Sequence, residues 1–351
     1  MAHESPFLPR YQRDGVTLGA YFGVRLPEHF GDVAAEYRAA REAAVLFDVN
    51  YLCFAELSGP DRMRYLNAVV SNNLAELQPG QGAVALLLNP QGHILAELEC
   101  YVLDDRFLIA THAVTAQRTL QTLEKFIIMD DATLEDVTPR YCAFAVEGPR
   151  AADAVAGYAP YQHTAGVIGG VPCRIIRRST FGAPGFTVVA ARDQSQTLWA
   201  ALESELRAKG GRPIGYAALN ALRLEAGVPW FSHDFDDKVI PHEAALETTH
   251  ISFTKGCYTG QEIVERVRSR GQVNRRRVSL LFDGATPPAP GEKLLASGKE
   301  AGHVTGAAFS PGLNAAVGMG YLRREHNAPG SAIEWSGGAA RVVEPPVRGG
   351  A

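Results

Sequence analysis

The chain has 351 residues, of which 46% are hydrophobic and 21% charged, with a formal net charge of −4. That length accommodates two or three domains with buried cores, and the faintly acidic balance excludes a protein that binds nucleic acid through overall charge. The cysteines Cys53, Cys100, Cys142, Cys173 and Cys257 are scattered, odd in number and free of any C-x-x-C pair. They speak against a disulfide framework and against a zinc or iron–sulfur centre held by the protein alone. A reducing, cytoplasmic setting is expected. The first residues lack a basic stretch followed by an apolar core, so no signal peptide is expected, and no apolar run is long enough to span a bilayer.

In chain order, residues 1–31 are rich in turn formers and carry little signal. Asp32 is placed to cap a helix over 33–46. A strand over 51–57 runs into Ser58-Gly59-Pro60-Asp61, and a helix through Leu66 and Val69 follows. Strands are expected over 82–88, 94–102 and 107–110, with an Asn89-Pro90-Gln91-Gly92 turn between the first two and a helix over 114–126 afterwards. The strand–Gly-Pro–helix pattern returns at 143–155. It reads either as an internal repeat of two α+β units or as coincidence, because that transition is common. Paired strands over 171–176 and 186–190 and helices over 195–206 and 215–226 come next, the second stopped by Gly227 and Pro229. Past Asn274 the texture changes to short strands separated by Gly and Pro, which places a domain boundary there and a small antiparallel barrel beyond it. The last residues, through Gly349-Gly350-Ala351, read as a loose tail.

The sharpest motif is Lys255-Gly256-Cys257-Tyr258-Thr259-Gly260-Gln261-Glu262. Thr259 and Glu262 have capping-box spacing ahead of an apolar stripe at Ile263, Val264 and Val267. Cys257 then lies near a helix N-terminus, two residues from Lys255, and both features favour a thiolate. The alternative is an inert cysteine in a tight loop. The octapeptide resembles the K-G-C-[FY]-x-G-Q-E signature of the YgfZ-type folate-binding proteins, which help mature or repair iron–sulfur enzymes. Those proteins are related to the glycine-cleavage T protein, an aminomethyltransferase. The resemblance implies an α+β fold: a pseudo-duplicated T-protein-like core with a C-terminal antiparallel β-barrel. It implies that 1–50 and 138–274 form a discontinuous folate-binding-type domain around an inserted domain of 51–137, with 275–351 as the barrel. It also implies tetrahydrofolate, a reduced folate, as ligand, and iron–sulfur client or assembly proteins as partners.

Arg223-Leu224-Glu225-Ala226-Gly227 resembles the R-x-E-x-G element of these families, and Asp234 with Asp236 resembles their D-x-D. In those families both regions contribute to the folate site. The candidate folate contacts are therefore Arg223, Asp234 and Asp236, together with Tyr258, Gln261 and Glu262; Cys257 and Lys255 are the candidate catalytic pair. From the residues alone, the preferred readings are a surface salt bridge for Arg223 and a solvated loop for 233–237. The histidines and acids around His242 lack the spacing of a closed metal site, so no metal is expected. Arg266, Arg268, Arg270, Arg275, Arg276 and Arg277 form the strongest local charge bias. It suits a folate glutamate tail, an acidic partner or a solvated face.

Two departures set the chain apart from the T protein. The G-x-x-x-D-D element of that family reads Gly92-His93-Ile94-Leu95-Ala96-Glu97 here. Ala96 stands where the family's catalytic aspartate is expected, with Glu97 on the opposite strand face. The G-E-D-G turn reads Gly182-Ala183-Pro184-Gly185. The expectation is a folate-binding protein that supports iron–sulfur maturation through Cys257. A tetrahydrofolate-dependent aminomethyltransferase is the alternative, and a ligand-free scaffold the third possibility.

Overall fold

A computed structural model describes residues 3–347. The expected tail at Gly349-Gly350-Ala351 lies outside the described residues. Two sheets face each other across a shared core. The first has six strands in the order His163–Ile168, Val171–Arg177, Gly185–Ala191, Tyr141–Glu147, Val45–Asp48 and Arg212–Pro213. The second has five: Gly82–Leu88, Ile94–Val102, Arg106–His112, Leu52–Ser58 and Thr133–Asp136. Each sheet is backed by helix on its far side. Ser195–Ala208 packs Leu198, Trp199 and Leu202 onto the six-stranded sheet, while Leu66 and Leu123 cover the other. Between the sheets, Tyr51, Phe54, Leu108 and Ala110 meet Phe47, Val189 and the helix Tyr216–Ala226.

The local chemistry explains most boundaries. Asp32 caps the helix Val33–Glu42 by accepting from Ala34 N and Ala35 N. That helix stops at Glu42 rather than continuing to 46 because Val45–Asp48, buried at every position, pairs with Tyr141–Glu147. Gly227 closes the helix Tyr216–Ala226 at φ +76°. The repeated strand–Gly-Pro pattern has one physical cause in both places. Gly59 and Gly148 hold positive φ and hug a neighbouring backbone; a Cβ would fall 2.3 Å from Asp131 O and 2.5 Å from Ala43 O respectively. The second unit continues as a 3₁₀ helix, Pro149–Val155, rather than an α-helix.

The described part of the N-terminal stretch, residues 3–31, forms a short helix Leu8–Arg13 and a hairpin Thr17–Tyr21 with Val24–His29. The hairpin tip sends Phe22 into the core, with its ring centroid 4.1 Å from that of Tyr51. Beyond Asn274 a six-stranded barrel closes: Arg275–Phe282, Ala315–Arg323, Lys299–Ser310, Lys293–Ala296, Ala332–Trp335 and Gly338–Val343. Closure removes the exposed edges that such short strands would otherwise present.

Candidate active site

The strand Ile94–Val102 builds the site through its period of two. Ala96, Leu98, Cys100 and Val102 enter the helix-backed core of the five-stranded unit. Glu97 and Glu99 point the other way and line a cavity of about 270 Å³. Tyr51, His112, Arg178, Trp230 and the loop bearing His250 complete its wall. An acid at position 96 would be buried among hydrocarbon, so the missing aspartate is not missing from this cavity. The carboxylate that faces the hollow is Glu97, and the opposite-face position expected for it is the useful one.

Both carboxylates are engaged. His250 Nε2 lies 2.9 Å from Glu97 Oε1, and His112 Nε2 lies 3.8 Å from Oε2. Burial pushes the Glu97 pKa up, but the hydrogen bond and charge of His250, with His112 and Arg178, outweigh it and hold the carboxyl below its ordinary value. Glu99 accepts from Arg178 Nε at 2.6 Å and from Tyr101 OH at 2.5 Å. Burial works against the Arg178 charge, yet Glu99 and the surrounding tyrosines keep it firmly protonated. His112 is pushed down from 6.5 chiefly by burial. Its Nδ1 and the indole Nε1 of Trp230 are buried in this wall with no protein partner. Buried polar atoms are rarely left so, and a polar ligand in the cavity would satisfy them.

The cavity lining is held from behind. Glu147, buried under the turn Gly182-Ala183-Pro184-Gly185, accepts from Ser179 Oγ at 2.6 Å and from the backbone nitrogens of Thr180, Phe181 and Ala183 at 2.6, 3.0 and 3.1 Å. Ser179 and Thr180 are thereby fixed in the wall. Arg275, Arg276 and Arg277 staple the loop over the cavity: Arg275 Nε to Glu243 at 3.2 Å, Arg276 Nη2 to Glu247 at 2.7 Å, and Arg277 Nε to Ala244 O at 2.8 Å. Of the basic cluster, these three are built into the structure, and Arg277 also lines the cavity; Arg266 and Arg268 remain on the surface.

The residues singled out by motif lie elsewhere. Arg223 and Asp234 form a fully buried ion pair. Asp234 also accepts from Trp230 N at 2.9 Å and from Thr305 Oγ1 of the barrel at 2.7 Å. The Arg223 guanidinium lies 4.3 Å from the Trp230 ring centroid. The pair thus positions Trp230, which lines the cavity, without lining it. Glu225 faces away and accepts from Tyr37 and Arg41. Asp234 and Asp236 border a second cavity of about 350 Å³ against the barrel, with Arg275, His303 and Tyr321.

The octapeptide is a bracket on the outside of the five-stranded unit. Lys255 Nζ donates to the carbonyls of Asn67, Val70 and Asn72 at the end of the helix Arg62–Val69. Burial lowers its pKa to about 8. These carbonyls, not the Cys257 thiol, hold the ammonium. Tyr258 is buried beneath it, with Nζ 5.2 Å from the ring centroid. The helix Gln261–Arg270 starts on Gly260, at φ +83°, with no side-chain cap, so the capping box at Thr259 and Glu262 does not form. The cause is close approach: a Cβ on Gly260 would fall 2.6 Å from Asn89 O in the turn opposite. Cys257 is exposed, Gln261 half-buried, and Glu262 exposed and paired with Arg266. None of Lys255, Cys257, Tyr258, Gln261 and Glu262 lines either cavity.

Two family models match. Residues 7–255 fit the GCVT N-terminal domain, and residues 275–347 fit the glycine cleavage T-protein C-terminal barrel domain. The chain belongs to the glycine-cleavage T-protein family. Among its relatives, the aminomethyltransferase of Streptomyces coelicolor is 30% identical over 331 residues, covering 90% of this chain and 88% of that protein. The aminomethyltransferase of Saccharopolyspora erythraea is 28% identical over 344 residues, covering 94% and 93%. The crystal structure of glycine cleavage system aminomethyltransferase T from Bartonella henselae superposes with a TM-score of 0.87 at 25% identity, covering 99% of this chain and 98% of that one.

Within this T-protein-family chain, the cavity residues that sequence reasoning missed are Tyr51, Glu99, His112, Arg178, Trp230 and His250. One signal was available: Glu97 and Glu99 alternate with Ala96, Leu98 and Cys100 along a strand otherwise destined for a core. His112 and His250 carried no local signal. Among the described residues no group of three or more His, Cys, Asp or Glu side chains could hold a metal, and no helix is long and apolar enough to cross a membrane.

Proposed function

We propose that the chain is a tetrahydrofolate-dependent aminomethyltransferase working in a reducing, cytoplasmic compartment. The observation that carries this reading is Glu97, an ionised carboxylate on the cavity face of the strand where the aspartate at position 96 was expected. Transfer of a one-carbon unit between nitrogens needs a group that accepts an amine proton and offsets the positive charge building on carbon and nitrogen. Glu97 meets both needs. The unpartnered His112 Nδ1 and Trp230 Nε1, with Arg178 and Glu99, form a mixed donor–acceptor wall suited to a pterin's alternating polar edge. The cavity's size suits that ring system.

The test is folate-dependent release of ammonia from an aminomethyl donor, with calorimetric binding of tetrahydrofolate measured alongside. Binding without turnover would refute the transferase, and no binding would remove the folate.

One observation favours a second reading, a YgfZ-type role in iron–sulfur maturation. The octapeptide matches that signature at every position and leaves Cys257 exposed to a protein partner. In this reading Cys257 is a redox or transient ligand group presented to an iron–sulfur client. Cys257→Ala should then fail to complement an iron–sulfur enzyme defect that the unaltered chain rescues.

A further inference from the structure

We propose that His250 is a positioning and proton-holding residue for Glu97, the two sharing one proton that is exchanged with the reacting nitrogens; this rests on the transferase reading above.

A chain of hydrogen bonds sets the ring. Thr249 Oγ1 lies 3.4 Å from Leu246 O and 2.7 Å from His250 Nδ1, with one hydroxyl hydrogen to give. Given to Leu246 O, that hydrogen leaves Nδ1 to donate to Oγ1; given to Nδ1, it leaves Nε2 as the ring N–H. In both cases Nε2 meets Glu97 Oε1 at 2.9 Å. A bare Nε2 facing a bare carboxylate would place two lone pairs in opposition, so one proton lies between them. The second partner of a histidine thereby decides what its first nitrogen can do.

The loop that carries the ring is tied to the five-stranded unit. Ser71 Oγ donates to His250 O at 2.6 Å, Ser252 N donates to Ser71 O at 3.0 Å, and Asn72 Nδ2 donates to Thr249 O at 3.2 Å. Lys255 grips the carbonyls of Val70 and Asn72 on either side of the same serine. The octapeptide, outside the cavity, thus sets the height of His250 within it.

The overall reaction balances as X–CH2–NH3⁺ plus tetrahydrofolate giving X–H, NH4⁺ and methylenetetrahydrofolate. Two N–H protons leave the folate amines; one ends on X and one on ammonia. As the leaving group departs, the shared proton passes from Nε2 through Glu97 to it. The acceptor amine, on forming its bond to carbon, returns a proton through Glu97 to Nε2. No redox partner is required.

The experiment compares the full-length chain with His250→Gln and His250→Ala, measuring kcat, KM for tetrahydrofolate and direct folate binding. Glutamine keeps a donor near Glu97 but cannot hold the proton. We expect kcat to fall about 10- to 100-fold in both variants, with folate binding and KM within about twofold. Added imidazole should restore turnover in His250→Ala and leave His250→Gln unchanged. His250→Gln retaining more than half of kcat would overturn the proposal. A loss confined to KM and binding would make His250 a structural residue and overturn it equally. An unaltered chain that binds folate without any turnover would instead defeat the transferase reading itself.

Discussion

The central cavity and the octapeptide Lys255 to Glu262 are opposites. The octapeptide is contiguous, and as sequence it was the loudest feature of the chain. In the structure it fixes backbone: Lys255 ties three carbonyls, Tyr258 fills the space beneath, and Gly260 passes against the turn at Asn89. The cavity is assembled from short stretches spread between Tyr51 and Arg277, and it holds the paired carboxylates and histidines. A bracket must be contiguous because it shapes one stretch of chain. A reaction site need only be convergent, since strands and loops deliver its members from any distance.

The comparison breaks first at Glu97. Glu97→Gln preserves volume and removes the charge, and turnover should fall by about 10²- to 10⁴-fold with folate binding little changed. Full activity in that variant would move the chemistry out of the cavity.

Lys255→Met should act through structure. It leaves the carbonyls of Asn67, Val70 and Asn72 without their shared donor, at a cost of about 2–4 kcal/mol in stability. Denaturant midpoints measure it. Because the same carbonyls flank Ser71, which ties down His250, kcat should fall too. Unchanged stability with lost activity would instead make the lysine a chemical group.

How much was legible follows from the same contrast. Periodicity and punctuation placed the strand Ile94–Val102, the cap at Asp32, the stop at Gly227 and the barrel after Asn274, because each depends on neighbours in sequence. The Thr259 capping box failed because a tertiary contact, Gly260 against Asn89, overrode a local preference. Residues 1–31 were unreadable because their hairpin is stabilised by what it packs on, with Phe22 against Tyr51 and His112. Read letter by letter, the motif's aspartate position falls on Ala96, which the strand buries in the core. The strand's alternation shows which letter faces the hollow. Nothing in the sequence could have joined His250 to Glu97, which meet only when the loop folds over the sheet.

Acid sharpens the contrast further, since the cavity wall contains buried histidine and the octapeptide contains none. His112 has a folded pKa below its unfolded 6.5, mainly through burial. Below pH 6.5 the unfolded chain therefore binds the proton more readily, so this contribution to stability is complete above that pH and is lost as pH falls toward the folded value. His112→Gln should flatten the fall in thermal stability as pH drops below 6.5. An unaltered slope would mean that the ring is reached by water.

The smallest expected effect belongs to Cys257. Its thiol is exposed, lines neither cavity, and sits beside Gly256, around which a Cβ would meet nothing within 4 Å. Cys257→Ala should therefore leave stability within about 0.5 kcal/mol, and folate binding and aminomethyl transfer unchanged. This null result discriminates between the two functions because it isolates what the bracket does not explain. Lys255, Tyr258 and Gly260 each have a packing reason, while Cys257 has none. If the variant transfers the one-carbon unit normally yet fails to complement an iron–sulfur defect, the thiol serves a protein partner while the cavity serves folate, and the two regions carry separate functions. If both assays are indifferent to it, the octapeptide is a bracket and nothing more.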